Sequence, residues 1–257
     1  MAASIQLRED PAVRYVLRIG DTCLILAQRT AEWCGHAPVL EEDLALANIA
    51  LDLLGQARAL LTHAGQLEGR DHGEDQLAFL REEREYCNVT LVELPGDDFG
   101  FTLVRLALMA VWFRGLWERL QRSSDRELAG IAVRALREAR YHQQHVGDWV
   151  VRLGDGIEES AARMRSALAR AWLYTPELFD DDEIDLRAAG TGLGPRWSEL
   201  REPWLAEVRS LLGEATLSVP PETQFRSDGK RGRHSEHMGR LLAEMQHLQR
   251  AYPGGAW

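Results

Sequence analysis

Apolar positions recur at three- and four-residue spacing along most of the chain, the pattern of helices that bury one face. A first helix is predicted over about Ala12–Trp33, with Val13, Leu17, Leu24 and Ala31 in step. Gly35-His36-Ala37-Pro38 breaks it, and a second helix is predicted over Glu41–His63. Gly65 to Asp75 reads as a charged loop, Gln76–Tyr86 as a short helix, and Pro95-Gly96-Asp97-Asp98 as a turn. A very apolar third helix follows over Phe99–Leu120. A fourth covers Asp125–Leu153 behind a Ser123-Ser124-Asp125 cap, and a fifth covers Glu158–Trp172. Further helices are predicted at Trp204–Leu212 and Ser235–Ala251. Asp180-Asp181-Asp182-Glu183 reads as solvated, Gly190–Pro195 as a loop, and Leu217–Arg233 as mobile.

No strand pattern and no internal repeat is present, so the chain is expected to be all-α. Two hairpins joined by the long connection Ala64–Asp98 match a ferritin-like four-helix bundle with one crossover, extended by C-terminal helices. A single domain is expected over 1–257, with the bundle core at about 12–154 and the added helices and loops at about 155–257.

The second helix carries an acid, Asp52, on an otherwise apolar face with Leu44, Leu51, Gly55 and Ala59. Burying an acid there is costly unless something cationic meets it. In bundles of this connectivity that cation is often a metal pair, held by a Glu from each of two helices and Glu-x-x-His from the other two. Residues equally far from an antiparallel turn lie at one height, which pairs Asp21 with Asp52 and Arg105 with Glu138. The centre would then hold three acids, with Arg105 where a fourth acid belongs. Gly55 takes one histidine slot and Tyr141 the other, with His142 four residues after Glu138. A fixed guanidinium repels divalent cations and can itself neutralise carboxylates. The expectation is a vestigial site, Asp21, Asp52, Gly55, Arg105, Glu138, Tyr141 and His142, in which an arginine replaces the metal. Two alternatives stand beside it: one weak metal site at His142, or Asp21 as a helix cap with Arg105 reaching to solvent.

Other features change the picture little. Glu244-Met-Gln-His247 with His237 reads as a polar face or a contact between subunits, and His36 as part of a turn. Lys230-Arg231-Gly232-Arg233 is too short to argue for phosphate binding, and Lys230 is the only lysine. Trp112, Trp117, Trp149 and Trp172 fall in helices and read as packing or interface anchors. The net charge of −10 over 257 residues argues against nucleic acid. With 45% hydrophobic and 27% charged residues the composition is that of a soluble globular protein. No unbroken apolar run approaches the ~20 residues of a membrane span, and MAASIQLREDP lacks the apolar stretch of a signal peptide. Cys23, Cys34 and Cys87 have no paired spacing, which fits the cytoplasm.

Four stretches, Glu32–Leu61 (EWCGHAPVLEEDLALANIALDLLGQARALL), Ala78–Asn88, Arg137–Ser160 and Leu241–Trp257, closely resemble C subunits of the bacterial ring 1,2-phenylacetyl-CoA epoxidases. The similarity runs in the same order over most of the chain and is weakest over Leu173–Arg233. The resemblance implies a ferritin-like subunit that is itself non-catalytic and carries no cofactor. It implies a hetero-oligomer with a homologous catalytic subunit that holds a di-iron centre and the CoA thioester. The whole complex would use O2 and reducing equivalents from an NADPH-dependent reductase in cytoplasmic phenylacetate degradation. No catalytic residue is carried over. Two other readings are an iron oxygenase subunit active in its own right through Asp21, Asp52, Glu138 and His142, and a metal-storage protein.

Overall fold

A computed structural model describes residues 4–255, so the last two residues of the C-terminal stretch quoted above lie outside it. Among the described residues there are nine α-helices, short 3-10 turns and no strand.

Helix α1 spans Pro11–Ala31. It starts there because Asp10 accepts hydrogen bonds from Ala12 N (2.8 Å) and Val13 N (3.2 Å), and Pro11 needs no partner at the first turn. Helix α2 spans Leu40–Glu68 and packs along α1 as the first hairpin. Helices α4 (Phe99–Leu120) and α5 (Arg126–Gly154) form the second, capped by Asp98 and Asp125. The crossover between them holds α3 (Glu74–Phe79) and 3-10 turns at Glu83–Glu85 and Thr90–Glu93. Outside the bundle, α6 (Glu158–Trp172) lies on α4 and α5, and α7 (Glu183–Thr191) on α1. Helix α8 (Arg201–Glu214) also packs on α4 and α5, while α9 (Glu236–Ala251) packs on α3 and the crossover.

Four expectations are corrected. Helix α2 continues past His63 through Gly65, where a Cβ would come within 1.9 Å of the His72 carbonyl oxygen. That glycine admits the returning crossover rather than ending the helix, and Gly69 (φ 71°) ends it instead. The expected helix at Gln76–Tyr86 is six residues of α3, Glu74–Phe79, followed by a 3-10 turn. The acidic run starts α7: Asp182 caps it, and Asp182 and Asp185 ion-pair with Arg18 of α1. Finally, Leu217–Arg233 ends in a docked segment, where Lys230 is buried. Its Nζ lies 2.6 Å from the Asp180 carbonyl oxygen, 3.3 Å from Asp185 and 4.5 Å from the centre of the Trp197 ring.

Helices α2 and α4 are long and apolar enough, at mean hydropathy 1.4, to cross a membrane. In α4, 83% of that stretch is buried inside the protein, so its hydropathy supplies the core. Trp112 and Trp117 are fully buried there, with Trp112 stacked edge-on to Trp197 at 4.7 Å.

Candidate functional site

The two hairpins meet along α2 and α5, and four polar side-chain pairs cross that seam. Glu42 meets His145 at 3.0 Å, Asp52 meets His142 at 2.9 Å, Gln56 meets Glu138 at 2.7 Å and His63 meets Asp125 at 2.9 Å. The pairing order shows the helices antiparallel: as the α2 numbers rise, the α5 numbers fall. Each pair satisfies groups that would otherwise lie unpartnered between packed helices.

At mid-height Cys23 of α1 closes the cluster, its thiol donating to Gln56 Oε1 at 3.6 Å while Gln56 Nε2 donates to Glu138. Burial raises the Glu138 carboxyl, and the nearby Asp52 charge adds to this against the Gln56 hydrogen bond. Burial, then the Glu138 and Asp21 charges, push the Cys23 thiol well up. Burial lowers the His142 imidazole although Asp52 favours its charged form. Burial thus disfavours the charged form of all three groups.

The structure brings Asp52, Glu138 and His142 of the expected set together, and neither pairing by height, Asp21 with Asp52 or Arg105 with Glu138, is present. Asp21 lies two residues from Cys23 and faces the crossover, not the seam. Both its oxygens bind Arg81, one at 2.9 Å from Nη1, and Cys87 N donates to it at 2.9 Å. Both side chains of that pair are fully buried. Asp21 is therefore neither a helix cap nor a partner of Asp52.

Arg105 is fully buried rather than reaching to solvent, and it does not face Glu138. Its Nη1 donates to the Leu94 carbonyl of the crossover, and among the described residues Nε and Nη2 have no partner. Burial, then the repulsion of Arg29, pulls its pKa down to about 9. Gly55 is exposed with open space around it, and Tyr141 is exposed and stacked on His145 (ring centres 5.9 Å apart). The arginine that neutralises an acid of α1 is thus Arg81, which sequence reasoning placed in a short helix and gave no role. The one local hint was a charged residue directly after the apolar turn Leu77-Ala78-Phe79-Leu80.

These residues do not fit a carboxylate-bridged metal pair. Among the described residues no three His, Cys, Asp or Glu converge as ligands. Of the candidates, Asp21 is saturated by Arg81 and Cys87, Glu138 is held by an amide, and Asp52 is held by His142. Elsewhere, Glu244 pairs with Arg240 on the exposed face of α9, and His36 turns back on the Cys34 carbonyl.

The sequence pattern of the phenylacetic acid catabolic protein family matches residues 1–257. The chain belongs to this family. Within the family's all-α, ferritin-like fold, the pairs described above are what this chain places at its bundle centre. The chain is also similar to the C subunit of the 1,2-phenylacetyl-CoA epoxidase of Escherichia coli (strain K12). That relative is 49% identical over 243 residues, covering 95% of this chain and 98% of the relative.

Proposed function

We propose that this chain is the structural, non-catalytic subunit of a cytoplasmic 1,2-phenylacetyl-CoA epoxidase in aerobic phenylacetate degradation. Its partner is a homologous ferritin-like subunit that holds the di-iron centre. Other subunits and an NADPH-dependent reductase complete the complex, which consumes O2. The observation that carries this reading is the centre itself: every acid that could serve as a ligand is already held by an arginine, a histidine, an amide or a main-chain N–H. The 49%-identical epoxidase relative supplies the reaction and the assembly.

The seam offers the docking face. Leu40, Leu44 and Leu51 of α2 are exposed at helical spacing, Leu44 at 57% and Leu51 at 63%. Tyr141 and Val133 of α5 are exposed beside them, and Arg134 and Arg137 of α5 make no ion pair among the described residues. A partner helix with an apolar stripe flanked by carboxylates complements this surface.

Burying one leucine is worth roughly 1.5–3 kcal/mol, and a charge in its place adds a desolvation cost. Leu44→Arg/Leu51→Arg is therefore expected to weaken binding to the catalytic subunit at least a hundredfold by titration calorimetry, with an unchanged circular dichroism spectrum. Unchanged affinity moves the interface elsewhere. Turnover of phenylacetyl-CoA by this chain with reductase alone, or about two irons per purified chain, refutes the non-catalytic role and favours the reading as an active iron oxygenase.

A further inference from the structure

Helix α9 is tied to the crossover by one buried ion pair and a set of main-chain contacts. His234, just before the helix, is completely buried at its side chain. Its Nε2 lies 3.1 Å from the Tyr86 carbonyl oxygen, which can only accept, so Nε2 carries a proton. Its Nδ1 lies 2.6 Å from Glu93 Oε1. Glu93 also accepts from Asn88 Nδ2 at 2.9 Å and from Ser235 N and Oγ at 2.7 Å each. With Glu93 as the acceptor, Nδ1 carries the second proton, and the raised pKa of His234 agrees with a charged imidazole in this pair.

The surrounding charges agree. The crossover contributes Glu93 and Glu83, while Arg29 of α1 donates to the Glu93 main-chain carbonyl at 2.8 Å and pairs with Glu32 at 2.6 Å. Nearby, Asp228 and Arg233 pair with each other at 3.4 Å, and Glu236 and His237 lie 3.9 Å apart on α9 itself. A cleft of about 470 Å³ lies beside it, lined by Asp228, Arg233, His234, Glu236 and His237. Burial works against the charged imidazole, and the Glu93 hydrogen bond and charge outweigh it and raise its pKa.

We propose that His234 is a pH-sensitive latch: its protonated form ties α9 to the crossover, and loss of that proton loosens α9 while the bundle stays folded. Neutral His234 can donate to Tyr86 or to Glu93 but not both, which leaves a buried carboxylate facing a lone pair or a carbonyl without its donor. What the latch controls follows from the rest of α9. Gln246 Nε2 donates to the Arg81 carbonyl at 3.1 Å and to Tyr86 Oη at 3.0 Å, and Arg250 donates to the Phe79 (3.1 Å) and Arg81 (2.9 Å) carbonyls. Loosening α9 therefore releases the backbone that carries Arg81 against Asp21. This inference does not depend on the proposed function.

Hydrogen exchange of the full chain, read by mass spectrometry at pH 6.0, 7.0, 8.0 and 8.5 and corrected for intrinsic rates, tests it. Protection over 235–251 is expected to fall at least tenfold across this range, while α4 keeps its protection. His234→Gln is expected to start with the lower protection and to show no pH dependence in α9. Glu93→Gln, which removes the carboxylate, is expected to move the transition to lower pH. Flat α9 protection in the unmodified chain overturns the latch, whatever the variants do. So does an α9 transition that survives in His234→Gln.

Discussion

The Asp21–Arg81 pair is the sharpest place to test how this bundle handles a buried acid. Both side chains are fully buried, and the carboxylate has three donors: two from the Arg81 guanidinium and the Cys87 N–H. Removing one member of such a pair strands the other charge in the core and costs roughly 3–5 kcal/mol. Asp21→Asn keeps an acceptor for Cys87 and belongs near about 3 kcal/mol on that scale. Arg81→Met also loses the bonds to the Leu77 (2.5 Å) and Glu85 (3.1 Å) carbonyls and the stacking over the Tyr86 ring. It belongs near the upper end, about 5 kcal/mol. At about 2–4 °C per kcal/mol for a chain of this size, the single variants melt roughly 6–20 °C early. The double variant leaves no stranded charge, so it should be more stable than the sum of the single losses by about 2 kcal/mol or more. Urea unfolding followed by circular dichroism reads all four proteins, with an unchanged slope showing that the unfolding surface is the same. Single losses under about 1 kcal/mol, or strict additivity in the double variant, refute the argument that the pair is a coupled unit.

Two further outcomes separate the other charges. Arg105 has two guanidinium nitrogens without partners among the described residues, so Arg105→Met should stabilise the chain by about 1–3 kcal/mol after the lost bond to Leu94 is subtracted; a loss above about 1 kcal/mol in urea unfolding contradicts that. His142 has a folded pKa below its unfolded value near about 6.5, so its contribution is present above that pH and lost as pH falls. The urea midpoint should therefore drop from pH 7.5 to 5.5 more in the unmodified chain than in His142→Gln, and equal slopes in the two proteins contradict the assignment.

Much of this fold was legible locally. The expected Phe99–Leu120 and Glu158–Trp172 match α4 and α6 residue for residue because cap and turn residues adjoin their ends. The errors arise where a residue's role is set by a distant partner. Gly65 reads as a breaker until the crossover presses His72 against it. Asp182 reads as solvated because its partner, Arg18, lies far along the chain. At the centre, the expected set held Asp52, Glu138 and His142, but the height argument could not fix helical phase. A two-residue error on α1 turns a helix by about 200°, which is the difference between Cys23 facing Gln56 and Asp21 facing Arg81.

That error has a physical consequence, because the centre and its neutralising cation turn out to be different sites. Had Arg105 met the three acids, the centre would have held its own cation. Instead Glu138 is hydrogen-bonded by the Gln56 amide, and burial raises its carboxyl against that bond and the Arg134 charge. The one acid of α1 is neutralised from outside the four-helix core, by a crossover residue whose own backbone is held by α9. The seam is bridged instead by the hydrogen-bonded pairs Glu42–His145, Asp52–His142, Gln56–Glu138 and His63–Asp125, flanked by exposed leucines. If a second bundle covers this surface as proposed, burial of the leucines favours the contact, while Arg134 and Arg137 need carboxylates of the partner to be covered without cost.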